Sequence, residues 1–362
     1  MKWNRWWLIA LGALAVNAGC RNEKETARPQ SAQVTRGSVS GEVATSLDAV
    51  PTKPELALFA PLPAVMSSPG VELTPARIAL GRRLYHETVL SNGHDVSCAS
   101  CHPLNGYGAD SRRVSFGDLG HAGARNSPTV YNAAGQVAQF WDGRSPTVED
   151  QAKGPILNSV EMAMPDSTAV LAHLRGSAEY VRAFTAAFPA ERVPISYDNV
   201  GRAIGAFERG LVTPSRWDRY LEGDSSALSA EEVRGFTTFA RVGCAGCHAG
   251  SYVGGQSFQK LGLVKPWPAL RDSGRVRVTG KASDLYVFKV ASLRNVAKTG
   301  PYFHDGSVAS LDSAILLMGR HQLGRELTTK QVAAIRAWLE TLTGDLPEAY
   351  IAQPPRPEKK PM

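Results

Sequence analysis

Two pentapeptides in this chain have the residue types and spacing for redox chemistry: Cys98-Ala99-Ser100-Cys101-His102 and Cys244-Ala245-Gly246-Cys247-His248. In a C-x-x-C-H the two thiols can add across the two vinyl groups of a haem as thioethers, and the adjacent histidine can bind the iron. About one helical turn between the cysteines sets both sulfurs at the porphyrin edge and swings the imidazole beneath it. A structural zinc ribbon would want its two C-x-x-C pairs about 15–20 residues apart. Here the pairs lie in separate halves, each followed at once by a histidine that zinc does not require. Two disulfides are the other ordinary reading, but C-x-x-C pairs in exported proteins are more often redox-active than structural. Apart from Cys20 the chain has no other cysteine. The pattern therefore points to two covalently bound haems c, with His102 and His248 as iron ligands.

What such a haem does depends on its opposite face. Iron with one protein ligand can act as a catalyst, whereas iron with two strong ligands carries electrons. The candidates for the far side are His94, His121, Met162, His304, Met318 and His321. Residue physics alone ranks these poorly, because a single histidine or methionine more often fills a core or surface role.

The elements around the motifs follow from caps and periodicity. Thr74 caps a helix with Pro75 in its first turn and Ile78, Leu84 and Tyr85 on one face; the first motif follows a loop at 90–97. The second half repeats this plan. Ser229 to Glu232 is a capping box opening a helix that runs into the second motif. A further box, Thr328 to Gln331, starts a helix with Val332, Ile335, Trp338, Leu339 and Leu342 on one side, and Gly344 is expected to stop it. Small cytochrome c domains pack a helix before the haem motif against one at the end, which suits this last helix. A weak internal repeat supports duplication. Asn126-Ser-Pro-Thr-Val130 leads to Phe140-Trp-Asp-Gly-Arg144, and Ser292-Leu-Arg-Asn-Val296 leads to Tyr302-Phe-His-Asp-Gly-Ser307. Residues 194–221 read as a helix and a short link, and strand signals are few. The fold expected is mainly α, with two cytochrome c-like domains, 59–212 and 213–348, each bearing one haem c.

The 362 residues leave room for two cores. The formal charge of +7 becomes +5 without Lys2 and Arg5. No dense basic run interleaved with aromatics argues for nucleic acid. Residues 1–19 have the form of an export signal: a charged start at Lys2 and Arg5, then an apolar stretch from Trp6 to Val16 that is too short to span a bilayer. Asn17-Ala18-Gly19-Cys20 resembles a lipoprotein box, although Asn17 replaces the usual aliphatic residue. Lipidation of Cys20 and simple cleavage both remain open, and both put the chain outside the cytoplasm, in the periplasm, with a membrane anchor if Cys20 is lipidated. Residues 20–58 are polar and aperiodic and read as a tether; residues 349–362 read as a loose tail.

The chain resembles the bacterial diheme cytochrome c peroxidases over roughly residues 60–348. The resemblance rests on Leu80-Gly-Arg-Arg-Leu84, both C-x-x-C-H motifs, Arg125-Asn-Ser-Pro-Thr-Val130, Gln139-Phe-Trp-Asp-Gly-Arg144, Gln151-Ala-Lys-Gly-Pro155, Val160-Glu-Met162, Ser292-Leu-Arg-Asn295, Gly300-Pro-Tyr-Phe-His-Asp-Gly306, Met318-Gly319 and Gln322-Leu-Gly324. It implies that the haem of the first motif is peroxidatic and that of the second receives electrons. By this match Glu161 is the acid–base group, Gln151 its neighbour, and Trp141 the residue between the haems. Met318 is the distal ligand of the second haem. His121, on a loop with Gly106, Gly108, Gly117, Gly120 and Gly123, is a distal ligand of the first that reduction of the second haem is expected to release; His94 is its rival. Asn126, Thr299 and Pro301 match a calcium site, whose few carboxylates imply modest affinity. Such chemistry asks for a carboxyl group that can take a proton from one peroxide oxygen and return it to the other.

The resemblance thus implies hydrogen peroxide as substrate, a reduced cytochrome c or cupredoxin as donor, and a possible homodimer. Two alternatives stay open. Related methylamine-utilisation oxidases modify tryptophans of a partner protein but carry a tyrosine where Met318 stands. A non-enzymatic diheme carrier would need neither Glu161 nor Gln151.

Overall fold

The computed structural model describes residues 51–268 and 270–354. The export segment, Cys20, most of the tether and the end of the tail lie outside the described residues. Among the described residues, no helix is long and apolar enough to cross a membrane.

The chain is mainly helical, and each haem motif follows a capped helix that crosses a later one. Thr74 Oγ1 accepts the Arg77 amide and opens Pro75–Tyr85. This helix lies against Tyr197–Glu208 so closely that a Cβ on Gly81 would sit 1.8 Å from the Ala203 carbonyl oxygen. In the second half the Ser229 capping box opens Ala230–Val242, which ends at Gly243 with φ of 108°. It crosses Thr329–Glu340, and a Cβ on Gly235 would come within 2.1 Å of the Ala334 carbonyl oxygen. Only glycine permits either crossing.

The helix Thr329–Glu340 ends at Thr341, not at Gly344. Gly344 instead packs its α-carbon against the Thr213 carbonyl, where a Cβ would meet oxygen at 2.0 Å, and its N–H donates to Asn295 Oδ1. Residues 194–221 contain two helices, Tyr197–Glu208 and Arg216–Leu221. The helix Pro75–Tyr85 serves two cores: Leu80 and Leu84 face one cluster, Tyr85 with Ile78 another.

Apolar side chains gather half by half. One cluster joins Leu80, Leu84, Phe184, Val200 and Ile204; another joins Trp217, Phe236, Phe239, Ile335 and Trp338. The ends of the described chain cross over. Phe59 packs edge-on to Trp217, Phe236 and Trp338 of the second-half core, and Glu55 pairs with Arg241. The last residues of the stretch read as a tether are thus packed rather than free. Conversely, Ile351 of Glu348–Ile351 is buried in the first-half cluster, and Tyr350 stacks on Phe207. Strand content among the described residues is one two-stranded antiparallel ladder, Phe258–Lys260 with Val287–Lys289.

The backbone sets the register of the internal repeat. Asn132 and Asn295 both lie in the left-handed region, at φ of 58° and 61°, and each leads into a short 3-10 turn. Phe140 and Phe303 are left-handed at 63° and 69°. Isolated bridges close both hairpins, Gln139 with Ser145 and Tyr302 with Val308. Trp141 and His304 therefore occupy equivalent places, as do Asp142 and Asp305. The two asparagines converge: Asn132 Nδ2 and Asn295 Nδ2 donate to the same Thr213 Oγ1, at 2.8 and 2.9 Å.

Candidate functional site

The first motif forms the short helix Cys98–Cys101 and the second the 3-10 turn Cys244–Gly246. All four cysteines are unpaired, so neither motif is a disulfide. Burial pushes the Cys98 and Cys244 thiols up to about 12. Reactive thiol pairs show the opposite shift. The two histidines are held alike. His102 Nδ1 lies 3.1 Å from the Gly108 carbonyl oxygen and His248 Nδ1 lies 3.1 Å from that of Ala291. A carbonyl at Nδ1 fixes the tautomer with hydrogen there and leaves the Nε2 lone pair for a metal. Burial lowers the pKa of both rings, that of His248 to about 4, which favours the neutral imidazole that coordination requires. Thiols, oriented imidazoles and the void beside them fit a covalently attached haem at each motif.

That void is one cavity of about 920 Å³, and both motifs line it. Its wall also brings together Glu161, Gln151, Trp141, Met318, Asn126, Thr299 and Pro301. Met162 and His304 join the wall, whereas His94 and His321 do not. His121 is likewise absent from it. Its side chain is exposed on a tight hairpin, residues 116–122, closed by a bridge between Phe116 and Ala122 and turned at Leu119 and Gly120. The hairpin is nonetheless tied to the wall, because the Asp118 amide donates to the Glu161 carbonyl oxygen at 2.6 Å.

Glu161 is half-buried, and burial raises its carboxyl pKa. The positive charge of Arg144 and a 2.7 Å hydrogen bond from Asn158 Nδ2 oppose that shift without cancelling it. A carboxyl group with a raised pKa can both accept and return a proton near neutral pH. Trp141 is fixed by its indole N–H, which donates to the Asn126 carbonyl oxygen at 2.8 Å. Asn126 Nδ2 donates to the Arg112 carbonyl oxygen at 3.0 Å, while Oδ1 accepts no hydrogen bond among the described residues. The carbonyl oxygens of Thr299 and Pro301 are also free of donors among the described residues. Three oxygens without donors are a chemically suitable, weakly charged start for a calcium shell.

Four wall residues escaped the sequence reading. Arg144, whose guanidinium lies 3.4 Å from the Phe140 ring centroid, acts on Glu161 through charge; it stood inside a quoted motif, but nothing in the spacing marked its target. Asn158 precedes the Val160 motif. Glu208 is buried with its pKa pushed up to about 8 by burial and by Glu149, and a single glutamate at the end of an amphipathic helix gave no signal. Lys289 could have been found only from the repeat register.

Comparison with known proteins gives consistent results. The model of the family described as di-haem cytochrome c peroxidase matches residues 75–226. A cytochrome c551 peroxidase of Pseudomonas aeruginosa is 45% identical over 299 residues, covering 80% of this chain and 86% of the relative. A methylamine utilization protein MauG of Methylorubrum extorquens is 37% identical over 249 residues, covering 67% and 68%. Among solved structures, a MauG-like protein associated with microbial copper homeostasis superposes with a TM-score of 0.72 at 29% identity, covering 81% of this chain and 97% of that one.

Proposed function

The chain belongs to the di-haem cytochrome c peroxidase family and is a peroxidase, and on that premise we propose how its own residues divide the work. The reaction takes one hydrogen peroxide, two electrons and two protons to two waters. Electrons come from a small reduced redox protein, a cytochrome c or a cupredoxin. Two cytochrome c-like domains, about 59–212 and 213–348 with Phe59 packed in the second and Ile351 in the first, would hold one haem c each, through Cys98, Cys101 and His102 and through Cys244, Cys247 and His248. When bound, the haems supply a site for O–O cleavage at the first motif and an electron entry point at the second.

Within this frame Glu161 accepts the proton from one peroxide oxygen and delivers it to the other. Gln151 orients the substrate beside it, and Arg144 and Asn158 set the basicity of Glu161. Trp141, locked by its bond to the Asn126 carbonyl oxygen, would serve the electron path between the two motifs. Met318 would give the second haem a thioether ligand, which favours the reduced state. Asn126, Thr299 and Pro301 hold one calcium ion between the halves. His121 would be a removable ligand of the first haem, which reduction of the second is expected to release. Export, anchoring through Cys20 and periplasmic residence complete the reading, with a homodimer as the expected assembly.

One observation carries it: a carboxyl of raised pKa and an amide, Glu161 and Gln151, share one cavity wall with both C-x-x-C-H motifs. An electron carrier has no use for that pair, and methionine at 318 sets the chain apart from the tryptophan-modifying oxidases. Steady-state peroxide turnover by the holoenzyme with a reduced donor, with Glu161→Gln as comparison, is the test. Equal turnover by both proteins would remove the proposed role of Glu161.

A further inference from the structure

The internal repeat places Lys289 where the first half has Asn126. The main chain shows the pairing directly. The Lys289 amide donates to the Trp141 carbonyl oxygen at 2.8 Å, and the Asn126 amide donates to the His304 carbonyl oxygen at 2.8 Å. Trp141 and His304 are themselves the equivalent residues of the two hairpins. Each half thus clasps the other's hairpin through the same backbone bond, one side presenting an amide and the other an ammonium.

Lys289 lines the shared cavity. Its Nζ donates to Gln136 Oε1 at 2.5 Å and to the Ala138 carbonyl oxygen at 2.8 Å, both neutral acceptors. An ammonium has three donors, so one is left over. No carboxylate pairs with it among the described residues. The other cations of this wall are already answered. Arg125 is bound to Asp142 and Asp272, and Arg144 to Asp142; Lys260, Arg271 and Arg277 are exposed to water. Burial pushes Lys289 down to about 8, the cost of holding a cation here without an anion. A cation kept in such a place implies a missing negative partner. The group that the two motifs would hold in this cavity carries propionate carboxylates.

We propose that Lys289 is the protein's counter-ion for a haem propionate. This rests on the two-haem reading above. With the ammonium in place, the negative charge of the carboxylate is offset and the reduced state of the neighbouring iron is favoured. Loss of the charge should shift that haem's midpoint potential to more negative values.

The experiment is spectroelectrochemical titration of the holoenzyme and of its Lys289→Met, Lys289→Gln and Lys289→Arg variants, with pyridine haemochrome counts on each. The expected result is two haems per chain throughout, a negative shift of one midpoint in the Met and Gln variants, and recovery toward the original value in the Arg variant. Lys289→Gln keeps a polar group for the Ala138 carbonyl and so tests charge if the Met variant does not fold. Unmoved midpoints in a variant that holds both haems overturn the role of Lys289 and leave the peroxidase reading intact. Fewer than two haems in the unsubstituted enzyme overturn the two-haem reading itself.

Discussion

Glu161→Gln separates chemistry from structure at this site more cleanly than any other single change. The substitution keeps the side chain's volume and an oxygen able to accept the 2.7 Å bond from Asn158 Nδ2. It removes only the capacity to take and return a proton. Glu161 has no ion pair within bonding distance among the described residues, so folding should change little. A positioned general acid–base contributes about 10²–10⁴ in rate, equivalent to about 2.7–5.4 kcal/mol of barrier. The expected outcome is a fall of that size in kcat/KM for peroxide, with haem content and the KM for the donor unchanged. The pH profile supplies a second readout. As the base, Glu161 must first be ionised, so activity falls on the acid side as it protonates. Burial raises its pKa, which puts that limb above the ordinary carboxylate range. Arg144→Met removes the positive charge that opposes the shift, and the limb should move to higher pH; the move is modest because Arg144 is partly solvated. Stopped-flow mixing with peroxide measures both. If Glu161→Gln reacts within about tenfold of the parent, the acid–base assignment is wrong.

Glu208 makes a stability prediction. Its folded pKa of about 8 exceeds the ordinary 4.5, so between those values the unfolded chain loses a proton that the folded chain keeps. Stability present below pH 4.5 is lost as pH rises toward 8, by up to about 1.4 kcal/mol per pH unit, and Glu208→Gln should flatten this slope in denaturant unfolding; parallel slopes would refute it. His121→Gly should abolish dependence of turnover on pre-reduction of the second haem, whereas unchanged dependence would place the gate elsewhere. Chelation of calcium should lower turnover about tenfold or more, with recovery on adding Ca²⁺ but not Mg²⁺, given a shell built from amide and carbonyl oxygens; full activity in chelator would remove that site.

Much of this was legible in the chain because it rests on local rules. The boxes at Ser229 and Thr328, the threonine cap at Thr74 and the C-x-x-C-H spacing are short-range signals, and each sits where the rules put it. What the sequence hid was long-range. Gly344 read as a helix stop because a glycine after an apolar run has that meaning locally; its real constraint is the Thr213 carbonyl, far away in sequence. The packing of Phe59 and Ile351 into opposite halves could not be seen from two polar-looking ends. The exposure of His121 was equally hidden, since a glycine-rich loop specifies mobility without specifying where its tip rests.

The duplication explains why one cavity can serve two unequal tasks. Its frame is kept symmetric by groups that do no redox work: the left-handed asparagines at 132 and 295, their common partner Thr213, the glycine-mediated crossings at 81 and 235, and the carbonyls behind His102 and His248. Part of the inequality enters where equivalent positions carry different side chains. Trp141 faces His304 across the repeat, Asn126 faces Lys289, and Arg125 faces Phe288, which stacks on His304. Each exchange swaps an aromatic for a titratable ring, an amide for an ammonium, or a cation for an apolar surface. The charge and polarity of the cavity wall are thereby made different in the two halves. Unlike wall residues on a repeated frame add to unlike iron ligation in setting two haem potentials apart. Exchanging a pair at equivalent positions should therefore shift the two potentials toward each other before it disturbs the fold.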